Sequence, residues 1–141
     1  MRVFLDANIL FSAAKSDGAV RRFLVLLQAR GHEGWADAYV VEEARRNLAA
    51  RYPEDVALLD ALLSGLHVAS GYRRDPELEA RLPLPEKDRP VLAAAIQHHC
   101  SALVTGDRTH FGALYGQTVQ GVTIHSPRSL AEALLGSGDP E

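Results

Sequence analysis

The chain has 141 residues, of which 47% are apolar and 23% are charged, a composition typical of one globular domain. The net charge of −3 argues against nucleic-acid binding through a broad basic surface, and a single cysteine, Cys100, excludes an internal disulfide. Because the first apolar stretch is interrupted at Asp6 and no run is long enough to span a membrane, we expect a cytoplasmic protein without a membrane partner.

Short apolar runs alternate with helical patterns through the first half of the chain. Asp6 and Asn8 follow the first apolar run, before a helical pattern begins. Gly31 stands where a helix C-cap is expected, and Asp37 is positioned to cap the next helix. The predicted strands are Arg2–Leu5, Gly34–Ala36 and Leu66–Ala69. The predicted helices run over Asp17–Arg30, from Asp37 through Leu48, and from Pro53 to Gly65.

The alternation continues after a polar segment rich in proline over Gly71–Pro85. Asp88 begins a helix with Pro90 in its first turn, where proline is favoured. Gly106 and Asp107 form a sharp turn after the next strand. The predicted strands of this half are Ser101–Thr105 and Val122–Ile124. The predicted helices are Pro76–Leu82, the helix from Asp88, Arg108–Leu114 and Pro127–Leu135.

The order of these elements indicates the fold class. Strands that alternate with helices form a mostly parallel sheet covered on both faces. We therefore predict a single α/β domain over residues 1–135, with a central sheet of about four to five strands flanked by helices. Residues 136–141 are predicted to form a flexible C-terminal tail.

Two predicted strands end in acids, which suggests a metal site. Asp6 follows the first strand directly, and Asp107 follows the strand at Ser101–Thr105. Ligands of open parallel sheets bind outside the carboxyl ends of the strands. Mg²⁺ prefers oxygen ligands, and a cluster of carboxylates around it can orient a phosphate and activate water. Asn8 and Thr105 are positioned to hydrogen-bond such ligands.

Four sequence blocks together resemble the PIN-domain family. They are Met1–Asn8 (MRVFLDAN), Val41–Leu48 (VEEARRNL), Asp88–Ile96 (DRPVLAAAI) and Leu103–Phe111 (LVTGDRTHF). They occur in the order found in the family and extend over most of the chain. The resemblance implies a parallel-sheet fold and a pocket of acidic residues that binds one or two Mg²⁺ or Mn²⁺ ions.

The same resemblance implies an activity and a set of site residues. The activity is hydrolysis of RNA phosphodiester bonds by metal-activated water, as in the VapC-like toxins of toxin–antitoxin pairs. The implied partners are an RNA substrate, a cognate antitoxin protein and a second copy of the chain in a homodimer. By position, the catalytic and metal-binding acids are Asp6, Glu43, Asp88 and Asp107.

Several assignments stay open at this level. Glu42 precedes Glu43, and only one of them can face the pocket well, because adjacent helical residues diverge by about 100°. Glu86 is a less favoured alternative to Asp88 as the metal-binding acid. Some family members carry a further acid shortly after the last aspartate, whereas here the following residues are Arg108, Thr109 and His110. Of these, Arg108 and His110 are candidates for contact with the substrate.

Two other functional classes compete with the ribonuclease. A receiver-like signalling domain also has aspartates at strand ends, but it needs paired acids after its first strand and a lysine after its last. Neither feature is present in this chain. The alternative we retain is a PIN-fold module that binds RNA or protein without catalysis.

Overall fold

A computed structural model describes residues 1–137 of the chain. Its strands are β1 (Arg2–Leu5), β2 (Glu33–Asp37), β3 (His67–Ala69), β4 (Ala102–Val104), β5 (Thr118–Val119) and β6 (Val122–His125). Its helices are α1 (Ala7–Lys15), α2 (Ala19–Ala29), α3 (Ala38–Arg51), α4 (Val56–Leu63), α5 (Pro76–Ala80), α6 (Arg89–Gln97), α7 (Arg108–Phe111) and α8 (Pro127–Ser137). Among these residues, no helix combines the length and the apolar run needed to cross a bilayer.

The strands form one sheet in the order β3-β2-β1-β4-β6-β5. All neighbouring pairs are parallel except β5 and β6, which are antiparallel. The predicted α/β class and the mostly parallel sheet are confirmed. The described sheet has six strands rather than four or five. The sequence did not reveal β5, because a strand of two residues is too short to show a periodic pattern. Gln120 and Gly121, both with positive φ, form the tight turn that joins β5 to β6.

The core lies around the central strands. The side chains of Val3, Phe4 and Leu5 on β1 are fully buried, and so are Leu103 and Val104 on β4. Helix α1 packs against α2, α3 and α4, while α6 packs against α5 and against strands β4 and β6. Strands that are covered on both faces are apolar throughout, which explains the unbroken apolar runs of the sequence.

Capping residues set several helix boundaries. Asp37 caps α3 as predicted, because its Oδ1 accepts a hydrogen bond from the Val40 backbone N–H at 3.1 Å. Gly31 adopts φ +76°, the left-handed conformation expected at a helix C-cap. The predicted helix from Pro53 begins as a 3-10 turn over Pro53–Asp55 and continues as α4.

The C-terminal end differs from the prediction. Helix α8 extends to Ser137, two residues beyond the predicted end at Leu135. Gly136 and Ser137 therefore belong to the helix rather than to the predicted tail. The remainder of that predicted tail, residues 138–141, lies outside the described residues.

Candidate metal and active site

The carboxyl ends of β1 and β4 lie side by side and carry two of the predicted acids. Leu5 of β1 stands opposite Val104 of β4, and the Asp6 backbone N–H donates to the Val104 carbonyl at 3.0 Å. Asp6 follows β1 directly, and Asp107 lies in the turn after β4. Both acids thus lie in the crevice where open parallel sheets bind their ligands.

Both carboxylate oxygens of Asp6 are held by hydrogen bonds. The residue is only 8% exposed, and its Oδ1 accepts from the Ala7 backbone N–H at 2.7 Å, which caps α1. Its Oδ2 accepts from the Thr105 hydroxyl at 2.8 Å and from Asn8 Nδ2 at 3.3 Å. Asn8 and Thr105 therefore hydrogen-bond one of the predicted metal-binding acids, and they fix its orientation.

Asn8 and Thr105 also hold the turn that carries Asp107. Asn8 Oδ1 accepts from the Gly106 N–H at 2.8 Å, and Thr105 Oγ1 accepts from the Asp107 N–H at 3.1 Å. The Tyr115 hydroxyl donates to the Thr105 carbonyl at 2.8 Å. Sequence reasoning did not single out Tyr115, because a tyrosine in a loop carries no pattern that marks it as part of a site.

Asp88, Asp107 and His110 form a second group of donor atoms. His110 Nδ1 lies 2.7 Å from Asp107 Oδ2 and 3.6 Å from Asp88 Oδ2. Donor atoms of the three residues all lie within 4.8 Å of one another. The sequence assigned His110 to substrate contact, whereas here it shares a compact cluster with two of the predicted metal ligands.

Asp88 has a buried carboxylate oxygen without a hydrogen-bond partner in the described structure. It ends the 3-10 turn Glu86–Asp88 ahead of α6, and its Oδ2 is buried and forms no hydrogen bond within residues 1–137. A buried acceptor that lacks a partner costs free energy. Glu86, its sequence rival, is exposed. A cation between Asp88 and Asp107 would satisfy this oxygen, so the donor set fits a divalent metal ion.

Helix α3 brings Glu43, and not Glu42, towards Asp6. Glu43 is half-buried, lies next to an opening that Asn8 also lines, and is close enough for its charge to act on Asp6. Glu42 is exposed and lines a separate groove with Tyr72. The divergence of adjacent helical side chains thus favours the sequence choice of Glu43.

The protein environment shifts the pKa values of Asp6 and Asp107 in opposite directions. Burial raises the pKa of Asp6 from 3.8 to about 6, against the hydrogen bonds from Thr105 and Ala7, and the charge of Glu43 adds to the rise. Partial burial also acts to raise the pKa of Asp107, but hydrogen bonds from the His110 side chain and backbone outweigh it and lower that pKa. Without a cation, the site therefore holds Asp6 partly protonated near pH 6.

Arg108 takes a different position from His110, although both follow Asp107 in the chain. Its side chain is exposed and lines a cavity together with Tyr115. It forms no ion pair with an acid of the cluster in the part of the chain that the structure describes. The sequence grouped Arg108 with His110, but the first turn of α7 points the two side chains to different surroundings.

Comparisons with known proteins identify one family model and several solved structures that are similar to this chain. A family model described as a PIN domain matches residues 2–109. No curated protein matches the sequence. Among solved structures, VapBC2 from Rickettsia felis, bound to a promoter DNA fragment, is 20% identical with a TM-score of 0.66, over 89% of this chain and 98% of that chain.

Two further structures share the fold. FitAcB from Neisseria gonorrhoeae is 18% identical with a TM-score of 0.61, over 89% of this chain and 98% of that chain. VapC20 from Mycobacterium tuberculosis, described as a Sarcin-Ricin loop cleaving toxin, is 14% identical with a TM-score of 0.55. That match covers 79% of this chain and 93% of that chain. At these identities, the likeness concerns the fold.

Proposed function

The chain belongs to the PIN-domain family, and we propose that it is an Mg²⁺- or Mn²⁺-dependent ribonuclease, the toxin of a toxin–antitoxin pair. The observation that carries the proposal is the buried Oδ2 of Asp88, which has no hydrogen-bond partner within residues 1–137 and lies among the donor atoms of Asp107 and His110. A carboxylate oxygen in this state suits a cation better than any role in folding.

Each acid of the site has a distinct role in this proposal. Asp6 is oriented by three donors and offers a fixed carboxylate. Asp88 and Asp107 supply carboxylate oxygens that both lie near His110 Nδ1. Glu43 adds negative charge on the side of Asp6. A bound divalent ion would orient the scissile phosphate and lower the pKa of the attacking water.

The similar structures support the toxin assignment. VapC20 is described as a Sarcin-Ricin loop cleaving toxin. VapBC2 and FitAcB are toxin–antitoxin assemblies, which supports a cognate antitoxin protein as a partner of this chain. We further propose that the protein acts in the cytoplasm as a homodimer, with RNA as its substrate.

Cleavage of a fluorescently labelled single-stranded RNA tests the proposal. We expect the purified protein to cleave it with Mg²⁺ or Mn²⁺ and to lose that activity in EDTA, because the acids alone cannot neutralise the phosphate. Fragments of defined length would further indicate endonucleolytic cleavage. Metal binding without cleavage of any of several RNAs would instead favour a catalytically silent module that binds RNA or protein.

His110 is expected to influence the choice of metal ion. Mg²⁺ prefers oxygen ligands, whereas an imidazole nitrogen suits transition-metal ions better. If His110 Nδ1 contributes to binding, His110→Asn should weaken Mn²⁺ binding by about tenfold and Mg²⁺ binding by less. Calorimetric titration of both ions measures this change, with His99→Asn as the control. His99 is exposed and has φ 57°, a conformation that asparagine tolerates.

The comparison between the two ions decides the role of this histidine. An equal loss for Mn²⁺ and Mg²⁺ would mean that His110 only orients Asp107 through their 2.7 Å contact. The hyperfine splitting from nitrogen in the electron spin resonance of bound Mn²⁺ provides a second readout that does not depend on catalysis.

A further inference from the structure

A cavity of about 500 Å³ lies between the first turns of α2 and α8, beside the loop that follows β4. This volume is within the range of small-ligand sites in proteins. Its apolar wall includes Val20, Phe23 and Ala131, and Phe23 is only 4% exposed. Tyr115 also lines the cavity. The cavity can therefore accept a flat apolar group the size of an aromatic ring system.

The cavity adjoins the acid cluster directly. Gly106 and Arg108 both line it, and they are the chain neighbours of Asp107. The Tyr115 hydroxyl donates to the carbonyl of Thr105, whose own hydroxyl donates to Asp6. Burial raises the pKa of Tyr115; the charge of Arg108 acts to lower it and the charges of Asp107 and Asp6 act to raise it, which agrees with the proximity of all three to Tyr115.

Positive charge stands at the rim of this apolar cavity. Arg108 and Arg128 both line it, and the Arg128 side chain is 88% exposed. Arg128 forms an exposed ion pair with Glu132 at 3.1 Å, a contact that contributes little stability and is readily exchanged for a phosphate. In a chain with a net charge of −3, two guanidinium groups beside an aromatic cavity form a local site for an anion attached to an apolar ring.

These features match the chemistry of one nucleotide. Proteins recognise single-stranded RNA by accepting unstacked bases against aromatic side chains and by holding the phosphates with arginine. We propose that the cavity binds one unpaired base of the RNA substrate, with its flanking phosphates on Arg108 and Arg128. The phosphodiester next to that base then lies at the acid cluster. This inference rests on the proposed ribonuclease function and names the feature of the substrate that sets the cleavage position.

Filling the cavity tests the proposal through RNA binding alone. Ala131→Phe places a ring where the base would lie, so we expect the dissociation constant of a labelled single-stranded RNA to rise by about tenfold, in line with the loss of one stacked base. Fluorescence anisotropy in Mg²⁺ measures it, with Asp88→Asn present in every protein to prevent cleavage. Ala57→Phe, at an exposed alanine of α4, is the matched control and should leave binding unchanged.

A second variant reports on the phosphate contact and does not disturb packing. Arg128→Ala removes an exposed side chain, and it should lower the slope of log affinity against log salt by about 0.7, as expected for one phosphate contact to a single strand. Wild-type affinity and salt slope in both variants, with Ala131→Phe folded by circular dichroism, would overturn the proposal.

Two independent measurements separate this inference from the proposed function. Ala131→Phe changes no acid of the metal site, so calorimetric titration should find its Mn²⁺ affinity unchanged. If the wild-type protein cleaves no RNA with either Mg²⁺ or Mn²⁺, the ribonuclease proposal fails. A loss of RNA affinity in Ala131→Phe would then still support the base site.

Discussion

Asp88→Asn is expected to lower RNA cleavage by at least about a hundredfold, since even groups that only orient a metal ligand contribute about tenfold to a hundredfold. The asparagine would replace a charged oxygen that faces Asp107 and His110 with a neutral amide. Affinity for Mn²⁺ should fall together with the cleavage rate. Initial rates on a labelled RNA and calorimetric titration of Mn²⁺ measure the two effects.

The fold should tolerate this substitution well. Asp88 Oδ2 accepts no hydrogen bond in the described structure, so its replacement breaks no such contact. Asp6→Asn is expected to behave differently. Asp6 Oδ2 accepts from Thr105 and Asn8, and an amide nitrogen there would face two donors. We therefore expect Asp6→Asn to disturb the hydrogen bonds of Asn8 and Thr105 in addition to losing activity.

Glu86→Gln is the matched control for Asp88→Asn. Glu86 belongs to the same 3-10 turn but is exposed. The substitution therefore removes one negative charge, as Asp88→Asn does, at a position two residues earlier. It should leave cleavage and Mn²⁺ affinity unchanged. Full activity in Asp88→Asn, or a comparable loss in Glu86→Gln, would contradict the assignment of Asp88 as a metal ligand.

The second large effect that we expect is a loss of metal affinity at acidic pH. Asp6 has a pKa of about 6, so below that value a proton competes with the cation for its carboxylate. Affinity for Mn²⁺ should fall by up to about tenfold for each pH unit below this pKa and level off above it. Calorimetric titrations at intervals from about pH 5 to about pH 8 would reveal the midpoint.

Thr105→Val identifies the group responsible for this pH dependence. The Thr105 hydroxyl donates to Asp6 and lowers its pKa, so its removal should move the midpoint to higher pH. Thr118→Val is the control, because the Thr118 hydroxyl pairs with that of Thr123 on the neighbouring strand. An unchanged midpoint in Thr105→Val would show that another group controls the titration.

The stability of the metal-free protein should also depend on the ionisation of Asp6, and it should decrease as Asp6 loses its proton. Because the folded state raises the pKa of Asp6 above its value of 3.8, it binds more protons than the unfolded chain between about pH 4 and about pH 6. The unfolding free energy therefore decreases as the pH rises through this window, by an amount on the order of a few kcal/mol. Saturating Mn²⁺ should offset that loss, since the ion binds only the folded site.

Local sequence patterns determined the fold class and the positions of several site residues. Apolar strands followed by helical periodicity predicted the α/β sheet, and the acids that end β1 and β4 were visible as Asp6 and Asp107. Capping at Asp37 and the left-handed Gly31 were also predicted, because caps depend on residues within one helical turn. The resemblance of four blocks added Glu43 and Asp88, which no local pattern marks.

Only the tertiary structure decided how these residues meet. The contact between His110 in α7 and Asp88 in the 3-10 turn Glu86–Asp88 joins two segments that are 22 positions apart in the chain, so it depends on how the fold brings them together. The rotation of α3 that turns Glu43 to Asp6 is set by the buried face of that helix against the core. The two-residue strand β5 forms through pairing with β6, and the cavity beside Tyr115 forms through packing of distant segments. Neither feature produces a periodic pattern in the sequence.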